Sequence, residues 1–375
     1  MSKGPIYIHT NIASPYRRHQ FEAVATAFPG SRVFFSEGMH ADRPWEDGAS
    51  QWKVQCRRFR HHVVLPKLGM VTPGLIPELL RQPEGTVHLV AASPGNVLLL
   101  RLLGRRRGGR LVFWTDGGFA ESVALRHRRR FARWLRPAFC AAFSPGEIGR
   151  TYCRNLGFSD QQIFNAYLSH DVLLYDRLRR EKGPELRRAM RGRLGIAADD
   201  FVMISVSRFL ELKRLEDLSD ALLSLDGRAG GDVHLVLVGD GPHQRPLEQM
   251  RAGLRNIRLH HIPSVAYNDM PEWYVAADLS VFPSEGDIWG LVVNEALSMG
   301  VPVICTSRIG GAELVRDGEN GFRVPVRSPG KMAARIWQLY RDRALLQRMK
   351  GNATSIVDSW NTDLAVRELQ RLAAM

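Results

Sequence analysis

The chain has no apolar run long enough to span a bilayer, no CxxC pair, no internal repeat and no low-complexity tract. The first absence excludes a membrane-crossing helix. Its four cysteines, Cys56, Cys140, Cys153 and Cys305, are scattered, which excludes a zinc motif or a disulfide framework and reads as small buried apolar residues. The N-terminal MSKGPIYIHTNIASPYRRHQ has neither a long apolar core nor a small-residue cleavage site, so the sequence predicts a cytoplasmic protein. No DxD-like cluster stands where it could hold a divalent metal.

What is present is uneven. The net charge is +14, with 30 Lys and Arg against 15 Asp and Glu in residues 1–190, and 22 against 23 in residues 191–375. The excess is concentrated in RLLGRRRGGR (101–110) and in RHRRRFARWLR (126–136), where Phe131, Trp134 and Leu135 sit among the cations. Such a mixture suits an anionic membrane surface.

With 375 residues, two domains are expected. Short apolar runs, PIYIHT, SRVFFS, VHLVAAS and GRLVFWTD, alternate with helix-like segments, and a second series follows: DFVMISVSRF, DVHLVLVGDGP, NIRLHHIP, ADLSVFPS, VPVICTS and GFRVP. Continuous apolar strands separated by helices imply parallel sheets covered on both faces. The charged DRLRREKGPELRRAMRGRLG reads as a linker passing into a surface helix. The expected fold is α/β, with two doubly wound domains at 1–175 and 190–355 and a terminal helix at 356–375 returning to the first. Ligands of such folds collect at the carboxyl ends of the strands.

The stretch PSEGDIWGLVVNEALSMG puts acids around a helix start near Trp289 or Gly290. A glycine at a helix N-terminus, with free amides at Leu291 and Val292, offers a phosphate site. Glu295, on that helix, can accept two ribose hydroxyls. Asp287, eight residues earlier, can reach the group beyond the phosphates, although acids there often serve only as caps. Arg208 and Lys213 follow a strand in SRFLELK, and two cations at that position can clamp a diphosphate or merely line a solvated face. Gly239 opens a tight turn, VGDGP, on the same edge. In the first half, Asp116 follows a strand and can face an acceptor hydroxyl. Ser14, Tyr16 and Arg17 open the first helix, where they can meet acceptor or phosphate. His9 and His170 read as structural.

In order, SRFLELK, LVLVGDGP, AADLSVFPS, GDIWGLVVNEALSMGVPVI and GGAELVRDGENGFRV resemble the retaining nucleotide-sugar glycosyltransferases of family four, over roughly residues 200–325. The resemblance implies the GT-B arrangement, two facing Rossmann-like domains with a cleft between them. It also implies that Arg208 and Lys213 neutralise the donor diphosphate, that amides at Gly290, Leu291 and Val292 touch it beside Trp289, that Glu295 binds the ribose, and that the base lies near Ile262 and Pro263. Asp287 replaces the glutamate usual in the family's Glu-x7-Glu motif, which leaves open whether Asp287 or Glu285 meets the donor sugar. The first half departs further, with NIASPYRRHQF and FWTDGGFAES in place of a glycine-rich loop and a histidine.

The implied reaction transfers a sugar from a UDP- or GDP-linked donor to a saccharide or polyprenyl-linked acceptor, with retention and with neither metal nor cofactor. An anionic membrane surface would be met through residues 101–136. A sugar-nucleotide epimerase or a phosphorylase of the same fold is the nearer alternative. A basic nucleic-acid-binding protein is the more distant one, and no nucleic-acid partner is expected.

Overall fold

The computed structural model describes residues 4–11, 13–36, 49–66, 69–116, 134 and 136–375. Two compact units emerge, residues 1–169 with 362–375, and residues 170–361. The boundary falls at the start of the stretch 170–190 in which the sequence reading places the split.

The first unit is built on seven parallel strands in the order β3-β2-β1-β6-β7-β8-β9. These are β1 (Ile6–Thr10), β2 (Arg32–Phe35), β3 (Gln55–Arg58), β6 (Val87–Val90), β7 (Arg110–Trp114), β8 (Ala141–Ser144) and β9 (Ile163–Asn165). Successive residues feed opposite faces. Ile6, Ile8, Val33 and Phe35 pack on one side with Phe21 and Val24, while Tyr7 and Phe34 pack on the other with Leu79, Val97 and Leu100. This double burial explains why the strands read as unbroken apolar runs. The helix Thr362–Ala373 covers the first face through Ala365, Leu369 and Leu372. Arg110 donates to the carbonyls of Leu372 and Ala373 at 3.4 and 2.8 Å, tying that helix end to β7.

Because all seven strands are parallel, their carboxyl ends share one edge. The segments after β1 and β7, which carry Tyr16, Arg17 and Asp116, therefore lie on the same rim. A separate antiparallel hairpin, β4 (Val63–Leu65) with β5 (Gly69–Val71), follows β3 on that rim. The arginines of 101–110 fall elsewhere. They follow the helix Pro94–Leu99 and precede β7, which places them at the amino edge. Of the sequence expected to meet a membrane, Phe131 and the other residues of 117–133, with Leu135, lie outside the described residues. Trp134 is 55% exposed.

The second unit has six parallel strands in the order β12-β11-β10-β13-β14-β15. They are β10 (Phe201–Val206), β11 (Val233–Val238), β12 (Ile257–Ile262), β13 (Leu279–Phe282), β14 (Val303–Thr306) and β15 (Gly321–Val324). Sequence order reverses at β10 and β13, so a crevice opens at their carboxyl ends. At the opposite edge the buried Asp278 accepts from Arg187 (2.6 Å), Arg191 (2.8 Å), Lys350 (2.9 Å) and the Val202 amide (3.0 Å). The stretch read as a linker passing into a surface helix is helical throughout, within one 23-residue helix, Val172–Leu194, that ends on left-handed Gly195. Its charges include the two arginines that reach Asp278.

Candidate functional site

The Leu291–Ser298 helix starts where the sequence placed it. Gly290 is its N-cap with φ 85°, and a Cβ there would stand 3.1 Å from the Phe282 ring. Glycine therefore allows the left-handed turn that aims the first amides outward. Leu291 and Val292 are half-buried and head the helix, whereas the Val293 amide already bonds to the Gly290 carbonyl at 3.0 Å.

Facing this start is the loop after β10. Arg208 is exposed, and Lys213 closes the short turn Glu211–Lys213. The Lys213 ammonium pairs with the Asp287 carboxylate and sits 5.4 Å from the centre of the Phe282 ring. Two residues 74 positions apart are thus brought into contact, and the first acid of the acidic motif meets the second cation of the strand loop. Glu285 is engaged differently, accepting from Arg327 at 3.0 Å with Arg214 3.8 Å away. Asp287 rather than Glu285 thus stands beside Lys213.

Gly239 (φ 132°) could not carry a side chain, since a Cβ would lie 1.8 Å from the Ser207 carbonyl oxygen. Its amide bonds to Ile262 O at 2.9 Å, and the Phe209 amide bonds to Asp240 O at 2.8 Å. The turn after β11 is thereby locked between the loops after β10 and β12. Ile262 is half-buried and Pro263 exposed on the same rim. The Gly310–Leu314 turn supports the helix start from behind, with the Gly311 amide donating to Trp289 O at 2.6 Å.

Two residues expected at the donor are largely buried. Trp289 is 2% exposed and stacks on Trp360 with ring centres 4.8 Å apart, its indole N–H donating to Asn294 at 2.8 Å. It is a strut under the helix start. Glu295 is 7% exposed and accepts from the Tyr274 hydroxyl at 2.8 Å. Burial pushes its carboxyl up to about 7, against the opposing pull of that hydrogen bond. Tyr175, 2% exposed, presents a hydroxyl without a hydrogen-bond partner among the described residues and is itself raised by burial and by the charge of Glu295. Neither tyrosine was singled out by sequence. Tyr274 lies in PEWYVAADL, where nothing local marks it as a partner for a residue 21 positions on.

In the first unit, Arg17 donates to Asp116 and its guanidinium lies 4.5 Å from the Trp114 ring. Arg17 is 5% exposed, and its other arm reaches Gln20 at 3.2 Å. The expectation that Arg17 meets substrate directly gives way to a buried arginine that fixes Asp116, whose side chain keeps 37% of its surface. Ser14 is buried and its carbonyl accepts from the Arg17 amide, while Tyr16 is half-buried. His9 is buried, 3.0 Å from His88, and burial drives both below the usual imidazole range, His88 to about 3. His170 bonds to Ser298 at 2.9 Å.

Residues 187–356 match the family described as "Glycosyl transferases group 1". The chain is 37% identical over 172 residues to a D-inositol 3-phosphate glycosyltransferase of Geodermatophilus obscurus, covering 44% of this chain and 38% of that protein. It is 29% identical over 184 residues to the N-acetyl-alpha-D-glucosaminyl L-malate synthase of Bacillus anthracis, covering 48% and 46%. It thus spans about two fifths to half the length of these curated relatives. Among solved structures, Anabaena HepE in complex with UDP superposes with a TM-score of 0.79 at 20% identity, over 99% of this chain and 100% of that one. WaaG, a glycosyltransferase involved in lipopolysaccharide biosynthesis, gives 0.67 at 16%, over 98% and 99%. These neighbours establish the fold as GT-B, two Rossmann-like units.

Proposed function

We propose that this chain, whose residues 187–356 match the glycosyl transferases of group 1, moves a sugar from a nucleoside diphosphate sugar to a hydroxyl of a saccharide or lipid-linked saccharide. One observation carries the reading. Lys213, held at the rim by Asp287, and the amides of Leu291 and Val292 stand at the reversal point of one parallel sheet. Negative charge grows on the phosphate oxygens as the donor's C1–O bond breaks, and preplaced cations and amides favour that state over the ground state. Lys213 and Arg208 take this role without a divalent metal or other cofactor. Glu295 accepts from the ribose, Gly239, Ile262 and Pro263 border the base, and Asp287 meets the transferred sugar. That HepE was solved with UDP and with UDP-glucose supports a uridine donor.

In the reaction the acceptor oxygen bonds to C1 on the face the diphosphate leaves, so configuration is retained. The electron pair of the broken bond goes to the β-phosphate oxygen, which also takes the acceptor proton. Asp116, fixed by Arg17, orients the acceptor, with Tyr16 and Ser14 completing that rim. A lipid-linked acceptor would place the enzyme in the cytoplasm at an anionic membrane face.

A panel of UDP- and GDP-sugars, with released nucleoside diphosphate as the readout, tests the proposal. Donor-dependent release, accelerated by acceptor and unaffected by EDTA, is expected. Interconversion of donors without release would identify an epimerase instead, and release of sugar 1-phosphate a phosphorylase. Failure to bind or cleave any nucleotide sugar would end the reading.

A further inference from the structure

The β4–β5 hairpin stands apart from the seven-stranded sheet and has two unlike strands. The inner one is fastened. The Ser93 hydroxyl donates to Met70 O, and the Thr72 amide donates to Asn96 Oδ1 at 2.7 Å, with Asn96 Nδ2 returning to the Thr72 hydroxyl at 3.1 Å. Gly95 lets Val71 pack so closely that a Cβ would meet its Cγ2 at 2.6 Å. The outer strand is bare. Every residue from His61 to Pro66 is exposed, with Val63 at 51%, Val64 at 76% and Leu65 at 38%.

A strand of three branched aliphatic residues ordinarily buries at least one of its faces. Here alternate side chains on both faces meet solvent, on a hairpin held rigidly by a buried Asn–Thr pair. The charge around it is one-sided. From Gly48 to Pro77 the sequence contains no Asp or Glu, while Arg57, Arg58 and Arg60, at and just beyond the carboxyl end of β3, lead into the hairpin with His61 and His62. Arg57 is paired with Glu78, while Arg60, His61 and His62 are exposed beside the valines. An exposed apolar strand with the exposed Arg60 beside it suits a surface whose headgroups are anionic and whose interior is hydrocarbon.

Topology adds direction. The hairpin follows β3 at the carboxyl rim that carries Asp116 and Tyr16, whereas the arginines of 101–107, with Leu102 74% exposed, lie at the amino edge. We infer that the β4–β5 hairpin, through Val63, Val64 and Leu65 with Arg60, is the element by which the chain seats on an anionic lipid surface. Its acceptor rim is thereby brought to that surface. This deepens the transferase reading, on which it rests for the purpose of the seating but not for the seating itself.

The test uses the full chain, a Val63→Asp/Val64→Asp double variant and an Arg105→Gln/Arg106→Gln control. Each is sedimented with phosphatidylcholine vesicles containing or lacking phosphatidylglycerol, at low and high salt. The wild type is expected to follow the anionic vesicles and to be released by salt. The aspartate variant should lose roughly tenfold or more in partitioning, and the control should bind like wild type. Equal melting temperatures and equal UDP binding certify the folds. Absence of UDP binding in all three would count against the transferase reading and leave the vesicle result standing. Wild type remaining in the supernatant, undiminished binding by the aspartate variant, or an equal loss in the control would overturn the inference. So would a lipid-free dimer that the aspartate variant dissociates, since the hairpin would then be a protein interface.

Discussion

Asp278 and Glu295 are both buried carboxylates, set beyond opposite ends of the same strand, β13, and their surroundings are opposites. Burial alone would raise Asp278, but Lys350, Arg187 and Arg191 outweigh it and hold the acid far below its ordinary range. Glu295 has only the Tyr274 hydroxyl against the same penalty, and it rises to about 7. The cost of a buried charge is met by cations at the amino edge and left largely unmet at the carboxyl edge. The difference separates an acid that holds the second unit together from one poised to change state when hydroxyl donors arrive.

Removing Asp278 should break the comparison most severely. Asp278→Asn leaves Arg191 and Lys350 without their acid, and a loss of about 3–5 kcal/mol in unfolding free energy is expected from urea melts. An unchanged midpoint would show that the cluster is not structural. Next in size is Lys213→Ala. The pair with Asp287 is partly exposed, so stability should move by no more than about 1 kcal/mol, while turnover falls on the order of a hundredfold. Near-normal turnover would remove Lys213 from the phosphate-binding role.

Glu295 gives the smaller, pH-dependent effects. An acid raised from its ordinary value near 4.5 to about 7 binds more protons folded than unfolded between those limits. Stability therefore falls as pH climbs through that window and is level above it. Glu295→Gln should flatten this slope and raise the donor KM roughly tenfold above pH 7. Tyr274→Phe removes the hydrogen bond that favours the ionised form. The pH at which the donor KM improves should then shift upward, with kcat little changed. A donor KM independent of pH in wild type would show that Glu295 does not titrate at the donor.

The second unit was largely legible because its strands are continuous apolar runs and its turns carry glycines required by geometry, Gly239 and Gly290 among them. The first was less so. The polar edge strand QCRR and the small-residue strand AAFS carry little apolar signal, and no periodicity announces the β4–β5 hairpin. Side-chain partners were hardest to read. Nothing in YRRHQ says that Arg17 turns inward against Trp114 while Arg18 bonds to Glu22. The stacking of Trp289 on Trp360, far along the chain, turned an expected ligand contact into a support.

The helix Thr362–Ala373 imposes an order on biosynthesis. The first unit's sheet is translated early, yet the face bearing Ile6, Ile8 and Val33, covered in part by Phe21 and Val24, is not closed until Ala365, Leu369 and Leu372 leave the ribosome. At usual elongation speeds that wait is on the order of 10–40 s. The second unit can finish first, so nascent chains stalled before residue 362 should engage a chaperone through the half-covered first sheet.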